Sequence, residues 1–210
     1  MMLSLARQLP QALDEQRGDR AWSYTEIRSN SMLLTGQSVL ILGYGAIAHR
    51  LIELLQPFRM NIVAVRRRAN DTGDEGVHVV AQSEVESLLP SADHIINTLP
   101  ANESTKNFLD ARRLGAARRG AIIYNIGRGT TIDQQALLDH LTSGHLAAAY
   151  LDVTEPEPLP PDHPLWSLPN CFITPHTGGG HADESERLVQ HFLGNLQKFL
   201  ANEPLTDRIF

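Results

Sequence analysis

The sequence predicts an α/β chain built on a doubly wound parallel sheet. Short apolar runs rich in β-branched residues alternate with helical patterns along most of its length, which is how strands buried on both faces of a parallel sheet read. The first run, 38–42, leads straight into Gly43-Tyr44-Gly45-Ala46-Ile47-Ala48. The candidate chemical residues each lie just after one of the later runs. In open α/β sheets ligands bind beyond the carboxyl ends of the strands, so that shared placement allows all of them to reach one edge.

In chain order, 38–42 is the first strand and an apolar helical pattern follows through Ile47, Leu51, Leu54 and Leu55. Gly43-x-Gly45-x-x-Ala48 therefore sits between a strand and a helix start, as a dinucleotide fingerprint must. Gly43 allows the tight turn, Gly45 lets the backbone approach a pyrophosphate, and Ala48 permits close helix–strand packing. The free N–H groups at the helix start hold phosphate. The expected domain is thus a Rossmann-type NAD(P)-binding domain over 36–180, preceded by a helical arm over 1–35 and followed by a helix and tail over 181–210.

The second strand, 61–65, ends in Arg66-Arg67-Arg68. An acid at this place would bind the ribose 2′-OH of NAD, whereas a guanidinium binds a 2′-phosphate through charge-assisted forked contacts. NADP is the preferred cofactor and NAD the alternative. Residues 70–76 read as a polar surface loop. The strand at 94–98 ends in Thr98-Leu99-Pro100, and a helix is expected over 104–114. The strand at 121–125 runs into Ile126-Gly127-Arg128-Gly129. The helix at 134–141 follows, with Asp133 as its N-cap. Strands at 147–151 and 171–174 precede Asp152 and Pro175-His176 respectively.

Arg128, Glu157 and His176 are the residue types that reduction of a 2-keto acid needs. An arginine forks onto the carboxylate and polarises the carbonyl. A histidine supplies the proton as general acid. A carboxylate favours the charged imidazole and fixes its ring. Glu155 competes with Glu157 on chemistry alone, because both stand in one proline-rich loop that continues through Pro164. Asp152 fits either a contact to the nicotinamide amide or a turn cap. The expected cofactor contacts are Gly43, Tyr44, Gly45, Ala46, Ile47, Arg66, Arg67, Arg68, Thr98, Leu99, Pro100, Ile126, Gly127, Arg128, Asp152, His176 and Gly178. His49, His78, His140, His145 and His191 read as surface or structural groups, and no metal site is expected.

Composition narrows the classes. The chain has 210 residues with 18 basic and 24 acidic side chains, a net charge of −6, which argues against general nucleic-acid binding. A single cysteine, Cys171, excludes an intramolecular disulfide and fits a reducing cytoplasm. Its expected role is that of a small core hydrophobe. No long apolar run opens the chain, so no membrane association is expected.

With these residues in place, the chain resembles the D-isomer-specific 2-hydroxyacid dehydrogenases over nearly its whole length, from Leu5-Ala6-Arg7-Gln8-Leu9-Pro10 to Asn202-Glu203-Pro204-Leu205. The resemblance implies Arg128 as the catalytic arginine. Its Asp-Val-x-x-x-Glu-Pro pattern selects Glu157 over Glu155 and implies that Asp152 contacts the carboxamide. Its Pro-His-x-Gly pattern implies His176 as the acid/base. Together with Arg66 to Arg68 it implies an NADPH-linked reductase of glyoxylate or hydroxypyruvate type, acting on small 2-keto and 2-hydroxy acids. D-3-phosphoglycerate or D-lactate oxidation is the alternative substrate reading, and a non-catalytic, corepressor-like dinucleotide-binding module the alternative class. The arm implies a homodimer. Family members carry a substrate domain ahead of the cofactor domain, and this chain begins inside the helix that follows it. A fragment, a misassigned start and a naturally short protein are the three readings of that start.

Overall fold

The computed structural model describes residues 1–68 and 77–207. The expected loop at 70–76 lies outside the described residues. Contacts divide the chain into two compact units, Met1–Pro175 and His176–Phe210.

The first unit holds seven strands: β1 (Ser38–Leu42), β2 (Asn61–Arg66), β3 (His78–Ala81), β4 (His94–Asn97), β5 (Ile122–Asn125), β6 (Ala148–Leu151) and β7 (Cys171–Ile173). They form one sheet in the order β3-β2-β1-β4-β5-β6-β7, and every pairing is parallel. The α/β class and doubly wound parallel sheet expected from the sequence are therefore present. Strand order reverses beside β1, and the crevice beyond β1 and β4 is where such sheets bind ligands.

Alternate residues of β1 point to opposite faces, and each face has its own core. Leu40 and Leu42 pack with Val85, Leu114, Leu137 and Leu141, from α5 (Val85–Leu88), α6 (Ala111–Ala116) and α7 (Gln134–Thr142). Val39 and Ile41 pack with Ala48, Ile52 and Leu55 of α4 (Ala46–Leu55). Leu5 and Ala6 of α1 (Met2–Ala6) join that second face, together with Leu34. The arm's other helices, α2 (Leu9–Arg17) and α3 (Tyr24–Asn30), bury no residue.

Two sequence expectations need amendment. Strand β3 has no counterpart among the expected strands, because its four residues carry too little pattern to register alone. The helix expected over 104–114 is confined to α6, Ala111–Ala116. Ahead of it the chain turns. Ser104 N donates to Asn102 Oδ1 at 2.9 Å, Thr105 Oγ1 donates to Pro100 O at 2.6 Å, and Asn107 adopts φ 47° in the left-handed region. Side-chain bonds of this kind offer the backbone an alternative to helix. Asn107 N and Leu109 N are also committed to Thr130 O and Thr131 O, at 2.9 and 3.0 Å. The helix begins only where Asp110 accepts from Arg113 N at 2.8 Å. The cap expected at Asp133 is present, accepting from Ala136 N at 3.0 Å.

The second unit consists of the segment from His176 and the long helix α8 (Glu184–Leu200). Asp183 accepts from Arg187 Nε at 2.7 Å at its start, an acid where the helix dipole favours one. Among the described residues no helix is long and apolar enough to cross a membrane.

Candidate functional site

The glycine turn is shaped by its neighbours and by open space. Gly43 has φ +107°, and a Cβ there would lie 2.5 Å from Thr98 Oγ1. That hydroxyl is fixed by donating to Leu42 O at 3.0 Å, so only glycine fits. Gly45, by contrast, would project a Cβ into nothing within 4 Å. It opens α4 with no side-chain cap, and the first helical bond runs from His49 N to Gly45 O at 3.0 Å. Ala48 is fully buried against the sheet. An uncapped helix start with clear space above it fits a pyrophosphate. The chain itself imposes no glycine at 45, and an approaching ligand would.

A cavity of about 660 Å³ extends from this turn. Gly43, Tyr44 and Gly45 line one side, Leu99 and Pro100 another, and Arg66, Arg67 and Arg68 a third. The structure thus gathers eight of the expected cofactor residues at the carboxyl ends of β1, β2 and β4. Arg67 and Arg68 are exposed and have no ion-pair partner among the described residues. Ala46 and Ile47 form the first turn of α4, with Ile47 exposed.

The Arg128 loop rests on buried amides. Asn97 and Asn125 are at most 1% exposed. Asn97 Nδ2 donates to Asn125 Oδ1 at 2.8 Å and to Thr131 Oγ1 at 2.6 Å. Asn125 in turn accepts from Gly127 N at 3.2 Å and donates to Arg128 O at 3.2 Å, while Thr131 Oγ1 donates to the same carbonyl at 2.5 Å. Buried polar groups joined in this way fix one loop conformation. A Cβ on Gly127 would stand 2.6 Å from Leu99 O, so the loop packs directly on the Leu99–Pro100 turn. The Arg128 side chain is exposed and donates from Nη1 to Gly127 O at 2.7 Å.

Asp152 follows β6 and is 5% exposed. It accepts from Thr174 Oγ1 at 2.5 Å, and Thr174 meets Tyr150 OH at 2.8 Å. In the loop beyond, Glu157 Oε1 accepts from Thr154 N at 3.1 Å. Glu155 is held instead by its backbone. Its N donates to Gln134 Oε1 at 3.0 Å, and its carbonyl accepts from Gln134 Nε2 at 2.8 Å. The two glutamates therefore differ locally, one tethered by its carboxylate and the other by its peptide groups. His176 opens the second unit with φ 53° and an exposed side chain, followed by Thr177 and Gly178.

Residues 1–178 match the family described as D-isomer specific 2-hydroxyacid dehydrogenase, NAD binding domain. The chain belongs to the D-isomer specific 2-hydroxyacid dehydrogenases. A mitochondrial formate dehydrogenase from Solanum tuberosum is 30% identical over 183 residues, covering 87% of this chain and 48% of that protein. A human glyoxylate reductase/hydroxypyruvate reductase is 29% identical, covering 100% of this chain and 64% of that protein. Among solved structures, a probable 2-hydroxyacid dehydrogenase from Rhizobium etli, in complex with NADP, HEPES and L(+)-tartaric acid, superposes with a TM-score of 0.85. It is 27% identical, covering 98% of this chain and 63% of that one. The chain spans about half to two thirds of the length of these relatives.

Within this oxidoreductase family the matched segment is the part that binds the nicotinamide dinucleotide. Sequence reading missed the residues that shape the site without facing it: Asn97, Thr131, Gln134, Tyr150 and Thr174. Asn and Thr at the ends of apolar strands were the available signal, but their partners lie 21 to 34 residues away. His94 was also passed over. It is 1% exposed, between Tyr124 OH at 3.1 Å and Gln37 Oε1 at 2.5 Å, and burial pushes its pKa down to about 4. Cys171 is a core hydrophobe as expected. Burial pushes its thiol up to about 12, which keeps it protonated and unreactive. Among the described residues no cluster of three or more His, Cys, Asp or Glu could hold a metal ion.

Proposed function

We propose that this chain is the cofactor-binding part of an NADPH-linked reductase of small 2-keto acids, of glyoxylate or hydroxypyruvate type. The observation that carries the reading is the cavity that joins the glycine turn to Arg66, Arg67 and Arg68. Three cations, and no acid, stand at the end of β2 where a 2′-OH would call for a carboxylate. A 2′-phosphorylated cofactor generally serves reduction, which favours this reading over oxidation of D-3-phosphoglycerate or D-lactate.

The cofactor supplies the hydride. The chain's own residues orient the substrate and manage the proton. Arg128 forks onto the carboxylate and polarises the carbonyl. His176 donates the proton to the carbonyl oxygen, and Glu157 favours its charged form. Asp152, held by Thr174, accepts from the nicotinamide carboxamide. Thr98, Ile126, Gly127 and Gly178 complete the cofactor contacts. The active form is a cytoplasmic homodimer. Trp22 at 87% exposure and Tyr24 at 61%, in the arm beside a cavity also lined by Arg7 and Arg28, support a protein partner there.

The deciding experiment follows NADPH oxidation with glyoxylate, hydroxypyruvate and phenylpyruvate, using this chain and a version extended upstream to the length of its relatives. Turnover by the extended form with NADPH preferred over NADH is expected. A preference for NADH refutes the cofactor reading. NADPH binding with no turnover in either form favours the second reading, a non-catalytic dinucleotide-binding dimer.

A further inference from the structure

The parallel register of β2 and β3 pairs Val65 with Val80 and Arg66 with Ala81. The residues that follow, Arg67 and Gln82, stand just past the ends of these two neighbouring strands, where both segments leave the sheet. Both line the cavity at the glycine turn, and both line a second recess with Asn102, Glu103 and Ser104. Gln82 sits in a short turn held by Glu84, whose Oε1 accepts from Ala81 N at 3.0 Å. Its own side-chain amide makes no hydrogen bond among the described residues. A neutral N–H donor and a guanidinium, neither with a side-chain hydrogen bond among the described residues, thus line the same two recesses.

We infer that Gln82 is a specificity-determining residue for the cofactor, its side-chain amide donating to the 2′-phosphate alongside Arg67. The inference rests on the NADPH reading above and adds a group to it from a different strand. The chemistry is that of a phosphate dianion taking one forked, charged donor and one neutral donor from adjacent positions. Gln82 adds no charge, so it does not oppose the arginines, and unlike a carboxylate it does not repel the phosphate. A glutamate in its place would repel a 2′-phosphate and accept from a 2′-OH. Glu103, on the same recess, is the one carboxylate among its lining residues, which makes the donors facing it the more important for an anion.

Calorimetric titration of the 210-residue chain with 2′,5′-ADP and with ADP tests this at the adenosine end, without turnover. Wild type is expected to bind 2′,5′-ADP more tightly, and Arg67→Ala to erase the difference. Gln82→Met is expected to weaken 2′,5′-ADP by about tenfold, as loss of a hydrogen bond to a charged group does, while changing ADP less than twofold. Gln82→Glu is expected to invert the preference, with melting temperature unchanged in both variants. If wild type fails to prefer 2′,5′-ADP, the NADPH reading falls and this inference with it. If wild type and Arg67→Ala behave as expected but Gln82→Met leaves 2′,5′-ADP binding within twofold, the inference alone is overturned. Equal weakening of both ligands also overturns it, since Gln82 would then hold the adenosine common to both.

Discussion

A Cβ placed on Gly129 would stand 1.9 Å from the carbonyl oxygen of Thr154. The loop that carries Arg128 and the loop that carries Glu157 thus meet backbone to backbone, with no room for a methyl group. Because the obstacle is a peptide carbonyl in a buried segment, relief requires one loop to move. Gly129→Ala is therefore expected to cost at least about 1–3 kcal/mol, the range for overpacking a well-packed site. Urea denaturation measures it. A loss under about 0.5 kcal/mol, the scale of neutral surface changes, would show that the two loops separate freely.

The two glycines of the fingerprint should respond in opposite ways. Gly43→Ala meets Thr98 Oγ1 and takes an unfavourable φ, so it should destabilise the fold. Gly45→Ala meets nothing in the chain. It should leave stability within about 1 kcal/mol, the cost of a poorer helix cap, yet weaken NADPH binding by more than tenfold. Unfolding curves alongside calorimetry separate the two. Undiminished NADPH affinity in Gly45→Ala would mean the pyrophosphate lies elsewhere.

His94 sets an acid limit on the fold. Burial lowers its pKa from 6.5 to about 4, so between those values the unfolded chain takes up a proton that the folded chain refuses. Stability from this residue is fully present above pH 6.5 and is lost as pH falls toward 4. The full window corresponds to up to about 3 kcal/mol. In the neutral ring Nε2 donates to Gln37 and Nδ1 accepts from Tyr124, an arrangement that a second ring proton breaks. Denaturation at pH 7 and pH 4.5 should show a smaller drop for His94→Gln than for wild type. Equal drops would assign the acid sensitivity to other groups.

The two glutamates of the proline-rich loop are distinguished by a pH profile, in the chain extended upstream. On the proposed pairing of Glu157 with His176, removing the carboxylate shifts the activity profile toward acid. Glu157→Gln should therefore lose activity at neutral pH and regain part of it in mild acid. His176→Ala should lose about 10²–10⁴ in turnover at every pH, with NADPH affinity unchanged. Arg128→Lys keeps its charge but loses the fork, and should raise KM and lower kcat together. Acidic recovery in Glu155→Gln and not in Glu157→Gln would exchange their roles. Recovery in neither would remove the Glu–His pair from the mechanism.

Much of the fold was legible because its signals are local. An apolar β-branched run such as Ser38–Leu42, ended by Gly43, announces a buried strand without reference to anything distant. The cap at Asp133 needs only the next three residues. The segment at 104–114 misled for the complementary reason. Its residues favour helix, but Asn107 and Leu109 are tied to Thr130 and Thr131, and that tertiary competition cannot be read from the segment itself.

The sequence by itself determined the alternation of strand and helix, the glycine turn, the basic end of β2 and the order of the Arg128, Glu157 and His176 segments, because periodicity and Gly/Pro punctuation act over a few residues. Only the tertiary structure decided which side chains hold those segments in place. The Asn97–Asn125–Thr131 network, the clamp of Gln134 on Glu155 and the meeting of Gly129 with Thr154 all join residues more than twenty positions apart. The place of Gln82 beside Arg67 depends on the register of a four-residue strand. Such pairings follow from how the sheet closes, since hydrogen-bond partners and packing distances are fixed only once neighbouring strands are laid side by side.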